Sequence, residues 1–138
     1  YTVGKELIYS INERLRSMTE NCDYVQGFII HHSVGGGTGS GLGALILERI
    51  AVDYRHKTKL GIEIYPFNNN FSNNYLEPYN ALLGTHWLLD HTEVSLIFDN
   101  RKLYEINQNK LFINRPNYFH LNSFSHNQIH LKLRKIFD

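Results

Sequence analysis

Apolar positions recur at helical spacing over residues 3 to 18, where Val3, Leu7, Ile8, Ile11, Leu15 and Met18 share one face. Lys5, Glu6, Glu13, Arg14 and Arg16 fall mostly off that stripe, so the segment reads as an amphipathic helix packing on a sheet. Gly27-Phe28-Ile29-Ile30 then opens an apolar run over residues 27–33, the pattern of a parallel strand covered on both faces. After a glycine-rich stretch, Leu42, Leu45, Ile46 and Ile50 restore helical spacing as far as about Val52. Leu60-Gly61-Ile62-Glu63-Ile64-Tyr65 is a second strand, closed by Pro66. A helix between two strands predicts parallel pairing and a right-handed crossover. Beyond a polar loop over residues 66–76, Glu77-Pro78-Tyr79-Asn80 opens another helix: Pro is pre-set for its first position and Glu favours its positive end. Leu82, Leu83 and Leu89 are its core candidates, and Trp87 suits either core or interface. Val94 to Phe98 is a third strand, Leu103 to Asn109 a short helix, 111–116 a connector, and the last helix runs from about Asn117 to Phe137. The class is α/β with a parallel sheet.

The chemistry concentrates between the first strand and its helix, in Ser33-Val34-Gly35-Gly36-Gly37-Thr38-Gly39-Ser40-Gly41. Glycines admit positive φ and let a bulky anion approach the main chain closely. The first N–H groups of the following helix lack intrahelical partners and carry partial positive charge. Such a turn suits phosphate better than mere chain reversal. No Lys follows its last glycine, so it is not a P-loop. It does contain Gly39-x-Gly41-x-x-Ala44, with Glu63 on the next strand placed as a ribose ligand would be, which leaves a dinucleotide reading open. Asn100 follows the third strand, where ligand crevices form in open α/β sheets. It suits a base edge, and equally a helix N-cap.

Other candidates read as structural. His31 and His32 are adjacent on a strand and point to opposite faces, so they cannot chelate one ion together. His126 and His130 share a helical face but lack a third ligand nearby, and are expected as solvated histidines. Cys22 is expected as a buried or half-buried thiol with no nucleophilic role. Lys132, Arg134 and Lys135 suit a helix C-terminus.

Composition narrows the picture. At 138 residues the chain is one domain at most, and 42% hydrophobic residues support a packed core. A net charge of +1 gives no signal for nucleic acid or acidic lipid. One cysteine excludes an internal disulfide and fits a reducing compartment. No signal peptide or membrane-spanning run is expected, so the Asn70-Phe71-Ser72 sequon carries no weight. The chain opens at Tyr1 inside a helix pattern and stops at Asp138, as a segment of a longer protein does.

The stretch His32-Ser33-Val34-Gly35-Gly36-Gly37-Thr38-Gly39-Ser40-Gly41 resembles the tubulin signature loop. The resemblance runs along essentially the whole chain, through Gln26-Gly27-Phe28, Val52-Asp53-Tyr54, Lys57-Thr58-Lys59-Leu60, Ile64-Tyr65-Pro66, Glu77-Pro78-Tyr79-Asn80, Asp99-Asn100 and Arg115-Pro116-x-Tyr118-x-x-Leu121-Asn122. Val52-Asp53-Tyr54 and the final Phe137-Asp138 are similar to the α rather than the β subunit. The resemblance implies a three-layer, Rossmann-like parallel sheet with flanking helices, residues 1–138 being part of a GTP-binding domain without its first strands or C-terminal domains. It implies that Ser33, Gly36, Gly37, Thr38 and Gly39 hold phosphates, and that Asn73 and Glu77 reach the ribose. Asn100 and Asn122 would read the guanine edge while Tyr118 stacks on its face.

It further implies a cytoplasmic, cytoskeletal constituent of microtubules, paired with a β-like subunit and without nucleic-acid or membrane partners. The family is a GTPase, but its catalytic glutamate and magnesium ligands fall outside these residues, so no residue here is assigned to catalysis or to Mg2+. Two departures stand out. The loop before Glu77 is one residue longer than the family pattern and has Ser72-Asn73 where the family has Ser-Thr, and the last helix is one residue shorter. The competing readings are an NAD-type oxidoreductase segment and a divergent, non-functional tubulin segment.

Overall fold

A computed structural model describes residues 1–66 and 75–137. The elements follow in the order α1 (Gly4–Glu20), β1 (Gly27–Ser33), a π-helical turn (Thr38–Leu42), α2 (Gly43–Asp53), β2 (Thr58–Tyr65), α3 (Glu77–His91), β3 (Val94–Asp99), α4 (Asn100–Asn109) and α5 (Tyr118–Phe137). The chain divides into two compact units, Tyr1–Ile97 and Phe98–Asp138, and each is described by itself.

The strands form one sheet in the order β1-β2-β3. β1 and β2 run parallel, with Gly27 opposite Thr58 and Ser33 opposite Ile64, as the helix between them requires. β2 is the central strand and is buried from Lys59 to Glu63. β1 differs from the sequence expectation. Its pattern predicts cover on both faces, yet Ile29, His31 and Ser33 are exposed while Phe28, Ile30 and His32 are half-buried. It lies at the edge of this sheet, and only its helix-facing side is covered.

That covered side holds the core of the first unit. Val34, Leu47 and Leu88 pack together, with Ile30, Tyr65 and Ala81 against them. α2 is the inner helix: Ala44, Leu45, Leu47 and Ile50 are buried, and it packs on both α1 and α3. Tyr54, just past α2, meets Phe28 of β1 with ring centroids 4.9 Å apart, and its hydroxyl lies 3.0 Å from Thr19 Oγ1 at the end of α1. One aromatic thereby joins two helices and a strand.

The outer helices are less covered than their patterns suggest. On α1 only Ile8, Ile11 and Leu15 of the expected stripe are half-buried, while Val3, Leu7 and Met18 are exposed, because α2 is the helix packed against it. On α3 the expected core residues Leu82, Leu83 and Leu89 are exposed, at 71%, 65% and 76%, and Leu88 with Gly84 faces inward instead. The helix has apolar residues on several faces, so pattern alone does not choose the buried one. Trp87 sits at the margin, stacked on Tyr1 at 5.5 Å and on His91 at 5.7 Å. Cys22 is exposed, not buried, because it lies in the turn after α1; its thiol donates to Met18 O at 3.3 Å. In the second unit α4 and α5 pack on each other, with Leu103, Asn107 and Leu121 buried.

The start of β2 is clamped to the residue before β3. Lys59 Nζ lies 2.6 Å from Glu93 Oε1, Lys59 N donates to Glu93 Oε2 at 2.6 Å, and Glu93 N donates to Lys59 O at 3.1 Å. Lys59 is only 3% exposed, so breaking this pair leaves a buried ammonium whose one other acceptor among the described residues is the Lys57 carbonyl. Partial burial pushes the Glu93 carboxyl up, but the hydrogen bonds from Lys59 outweigh it, and the carboxyl titrates below its ordinary value near 4.5. A carboxylate lowered on folding stabilises fully above its unfolded value and loses that contribution as pH falls through the folded value. Glu93→Gln is therefore expected to lower the urea midpoint at neutral pH. Below about pH 4.5 it should show a shallower acid decline than the parent chain; equal slopes would remove Glu93 from the account.

Candidate nucleotide-binding site

The turn between β1 and α2 is built by local constraint. Val34 is fully buried, and its N–H donates to Ile64 O at 3.1 Å, extending the parallel ladder one residue past β1. Gly35 N donates to Ser33 Oγ at 3.3 Å, and Asn80 Nδ2 at the start of α3 donates to Gly35 O at 3.1 Å. Ser40 closes the turn: its N–H and its hydroxyl both donate to Gly36 O, at 3.0 and 2.7 Å. His32 Nδ1 lies 3.0 Å from Gly39 O. A carbonyl oxygen only accepts, so this nitrogen carries the proton.

The glycines divide by role. A Cβ on Gly39 would overlap the Ser33 carbonyl oxygen, and one on Gly84 of α3 would press on Ser40 at 3.0 Å. Nothing lies within 4 Å of a Cβ on Gly36 or Gly37. The sequence reading credited these glycines with positive φ, and here the structure differs: no glycine has a positive φ. The turn runs straight into right-handed helical geometry, with Gly37 at φ −61° and ψ −34°. Close approach at Gly39 and open space at Gly36 and Gly37 are what absent side chains provide.

Gly36, Gly37 and Thr38 form the exposed rim. Their N–H groups precede the first helical acceptors and lie at the positive end of a helix. A π-helical turn continues the rim over Thr38–Leu42, a geometry common at functional sites. The rim is thus open, polar and pinned from β1, β2 and α3. Ser33 Oγ accepts from Gly35 N and retains its own proton to donate.

The remaining expected site residues fall into two groups. Glu77 is half-buried and opens α3, one turn before the Asn80 that grips Gly35. Asn73 lies outside the described residues. Asn100, Tyr118 and Asn122 belong to the second unit. Asn100 is not the N-cap of α4: Asp99 caps that helix, its Oδ1 accepting from Arg101 N at 2.8 Å, and Asn100 is the first helical residue and half-buried. Tyr118 opens α5, and Asn122 follows at i+4 on the same helical face, both exposed. Asn117 and His120 bond reciprocally, His120 N to Asn117 Oδ1 at 3.1 Å and Asn117 N to His120 Nδ1 at 3.3 Å, which fixes that helix start as a capping box does.

Sequence reasoning missed Asn80, Ser40 and His32 as the groups that shape the turn. Asn80 carried the one usable signal, an amide side chain in the first turn of a Pro-opened helix. The dinucleotide reading fails on Glu63, which is 2% exposed and accepts from Ser95 Oγ at 2.7 Å, and so has no path to a ribose. A separate groove lies between α1 and the end of α2, lined by Tyr9, Asn12, Arg16, Asp53 and Tyr54, with none of the turn residues.

Parallel β1 and β2, joined through a glycine turn and α2, define an α/β protein with a candidate anion site at a helix start. The sequence model of the Tubulin/FtsZ family, GTPase domain, matches residues 1–108, and the chain belongs to that family. Among individual proteins it is similar to α chains. It is 52% identical over 122 residues to the tubulin alpha chain of the Guillardia theta nucleomorph. It is 49% identical over the same length to the tubulin alpha-3 chain of Zea mays and to the tubulin alpha chain of Trypanosoma cruzi. Each match covers 88% of this chain and 27% of the relative, so the chain spans about a quarter of the length of these relatives. No helix among the described residues is long and apolar enough to cross a membrane.

The two glycine roles make opposite predictions. Gly39→Ala should destabilise the chain by about 1–3 kcal/mol, as overpacking against a fixed backbone does. Gly36→Ala should stay within about 0.5 kcal/mol of the parent. Urea unfolding of both variants checks this, and equal effects would contradict the division.

Proposed function

We propose that the chain forms part of the GTP-binding domain of an α-tubulin-like subunit, which assembles with a β-like subunit into microtubules of the cytoplasmic cytoskeleton. The observation that carries this reading is the exposed rim Gly36-Gly37-Thr38, with open space where a side chain on Gly36 or Gly37 would stand and with the turn held by Asn80, Ser40 and His32. A rigid row of amides at a helix start holds phosphate without reorganising when the ligand arrives. In this reading the rim and the Ser33 hydroxyl bind phosphates, and Glu77, with Asn73 in the loop before it, contacts the ribose. Asn100 and Asn122 pair with the guanine edge through amide donors and acceptors, while Tyr118 lies against its face.

The described residues contain no group of three or more His, Cys, Asp or Glu side chains that would hold a metal ion. In this reading the protein ligands of Mg2+, which the family implies, lie outside these residues, and no step is assigned to it. No general base for hydrolysis is assigned either. The role proposed for these residues is binding: orienting the triphosphate and purine, with bound GTP acting as a structural element at a subunit interface.

The test is a chimera in which residues 1–138 replace the matching quarter of the Zea mays alpha-3 chain. Co-purified nucleotide is quantified after assembly with a β chain. The expected result is GTP retained at one equivalent at this site, with Asn100→Ala weakening it about tenfold or more through a lost pair of amide hydrogen bonds. A chimera that folds but retains NAD and no guanine nucleotide, or that holds GTP equally without Asn100, would overturn the reading.

A further inference from the structure

His32 bonds the glycine turn from β1. Its Nδ1–H donates to Gly39 O at 3.0 Å, so in the neutral ring Nε2 carries no proton. Nε2 is buried and has no hydrogen-bond partner among the described residues. The cover over Nε2 comes from these residues themselves; segments beyond them add cover and remove none. A second proton would therefore put a charged N–H where nothing accepts it, which is costly in a dry interior. We propose that His32 is a proton switch on the glycine turn: neutral, it keeps the turn closed; protonated, it lets go of Gly39 O and the turn opens. The proposal rests on the reading of the rim as a phosphate site, and adds the regulation of that site.

The groups around the ring set the direction. Glu63 stands opposite His32 in the parallel register, on the same face of the sheet. Its carboxylate accepts from Ser95 Oγ at 2.7 Å and occupies the space over Gly61, two residues back along β2, so it leaves Nε2 unpaired. Lys59, further back on that strand, is taken up by Glu93. The turn Thr38–Leu42 has no titratable side chain. Gly43 at the start of α2 lies against the ring, where a Cβ would stand 3.4 Å from Nδ1. Further along α2, Glu48 and Arg49 lie by Tyr1, and Asp53 lines the groove beside α1. Glu63 is thus the charged group that faces the ring among the described residues. An imidazolium satisfies Nε2 by swinging out to water or across to Glu63, and either movement takes Nδ1 off Gly39 O. Gly39 is also the residue packed on the Ser33 carbonyl, so freeing it loosens the contact that shapes the rim.

An imidazole in water takes up its proton near pH 6.5. The open turn binds this proton and the closed turn does not. Opening is then independent of pH well above that value and grows about tenfold for each unit below it. The test uses the chimeric α chain assembled with a β chain, at about pH 7.5 and about pH 5.5, either side of the histidine range. Amide hydrogen exchange over residues 35–42, corrected for its intrinsic pH dependence, should show about tenfold less protection at the lower pH, and GTP release should quicken by a similar factor. His32→Asn keeps a donor near the Nδ1 position but has no titrating nitrogen, so its protection and release should be the same at both. His32→Leu, with no donor, should release GTP fast at both. Equal pH responses in the parent and His32→Asn, or protection over 35–42 that does not fall in the parent, would overturn the switch alone. A chimera that holds no guanine nucleotide at the higher pH would overturn the phosphate reading and the switch with it.

Discussion

The arrangement depends on one backbone contact, the approach of Gly39 to the carbonyl of Ser33. Any side chain at Gly39 would overlap that oxygen. Because the chain can pass so close, β1 turns directly into helical geometry without a wide loop, and Ser40 can reach back to Gly36 O with both its amide and its hydroxyl. Gly36, Gly37 and Thr38 are then left as an exposed rim at the helix start. Packing follows from the same contact. Ser40 is buried against Gly84 of α3, and His32 bonds Gly39 O from the strand, so the turn is shaped by the same helices that cover the sheet.

Burial in the sheet is graded from centre to edge. β2 is closed in along five consecutive residues, and the polar groups trapped there are matched: Lys59 with Glu93, and Glu63 with the Ser95 hydroxyl. Gly61 leaves the space that Glu63 occupies, since a Cβ there would meet Glu63 Oε1 at 2.6 Å. At the periphery, Val3 and Leu7 on α1, Leu82, Leu83 and Leu89 on α3, and Ile29 on β1 are exposed.

Much of this was legible in the residues. β1 spans 27–33 as the strand expected before the glycine turn does, and α3 opens at Glu77 with Pro78 behind it, because strand runs and Pro-led helix starts are local signals. The glycine turn was legible as the link between β1 and α2, but the way its glycines serve it was not. Positive φ and the close approach of an anion were the expected uses of glycine, whereas no glycine has a positive φ and Gly39 admits the Ser33 carbonyl instead. The buried face of α3 was misread for a related reason. Leucines at 82, 83, 88 and 89 offer two faces, and only packing of Gly84 against Ser40 selects the one with Leu88. Asn100 shows the converse: as a lone residue it suited an N-cap, but Asp99 one position earlier takes that role through Arg101 N.

The central claim is that the amides of Gly36, Gly37 and Thr38 are a preformed receptor for phosphate. Amide 15N and 1H shifts of these residues, followed as GTP is added to the chimeric α chain described above, test it most directly. The account predicts large shifts and slowed hydrogen exchange at Gly36, Gly37 and Thr38, and little change at Gly61 or Gly84. Saturating GTP that leaves the three rim amides unshifted would contradict it.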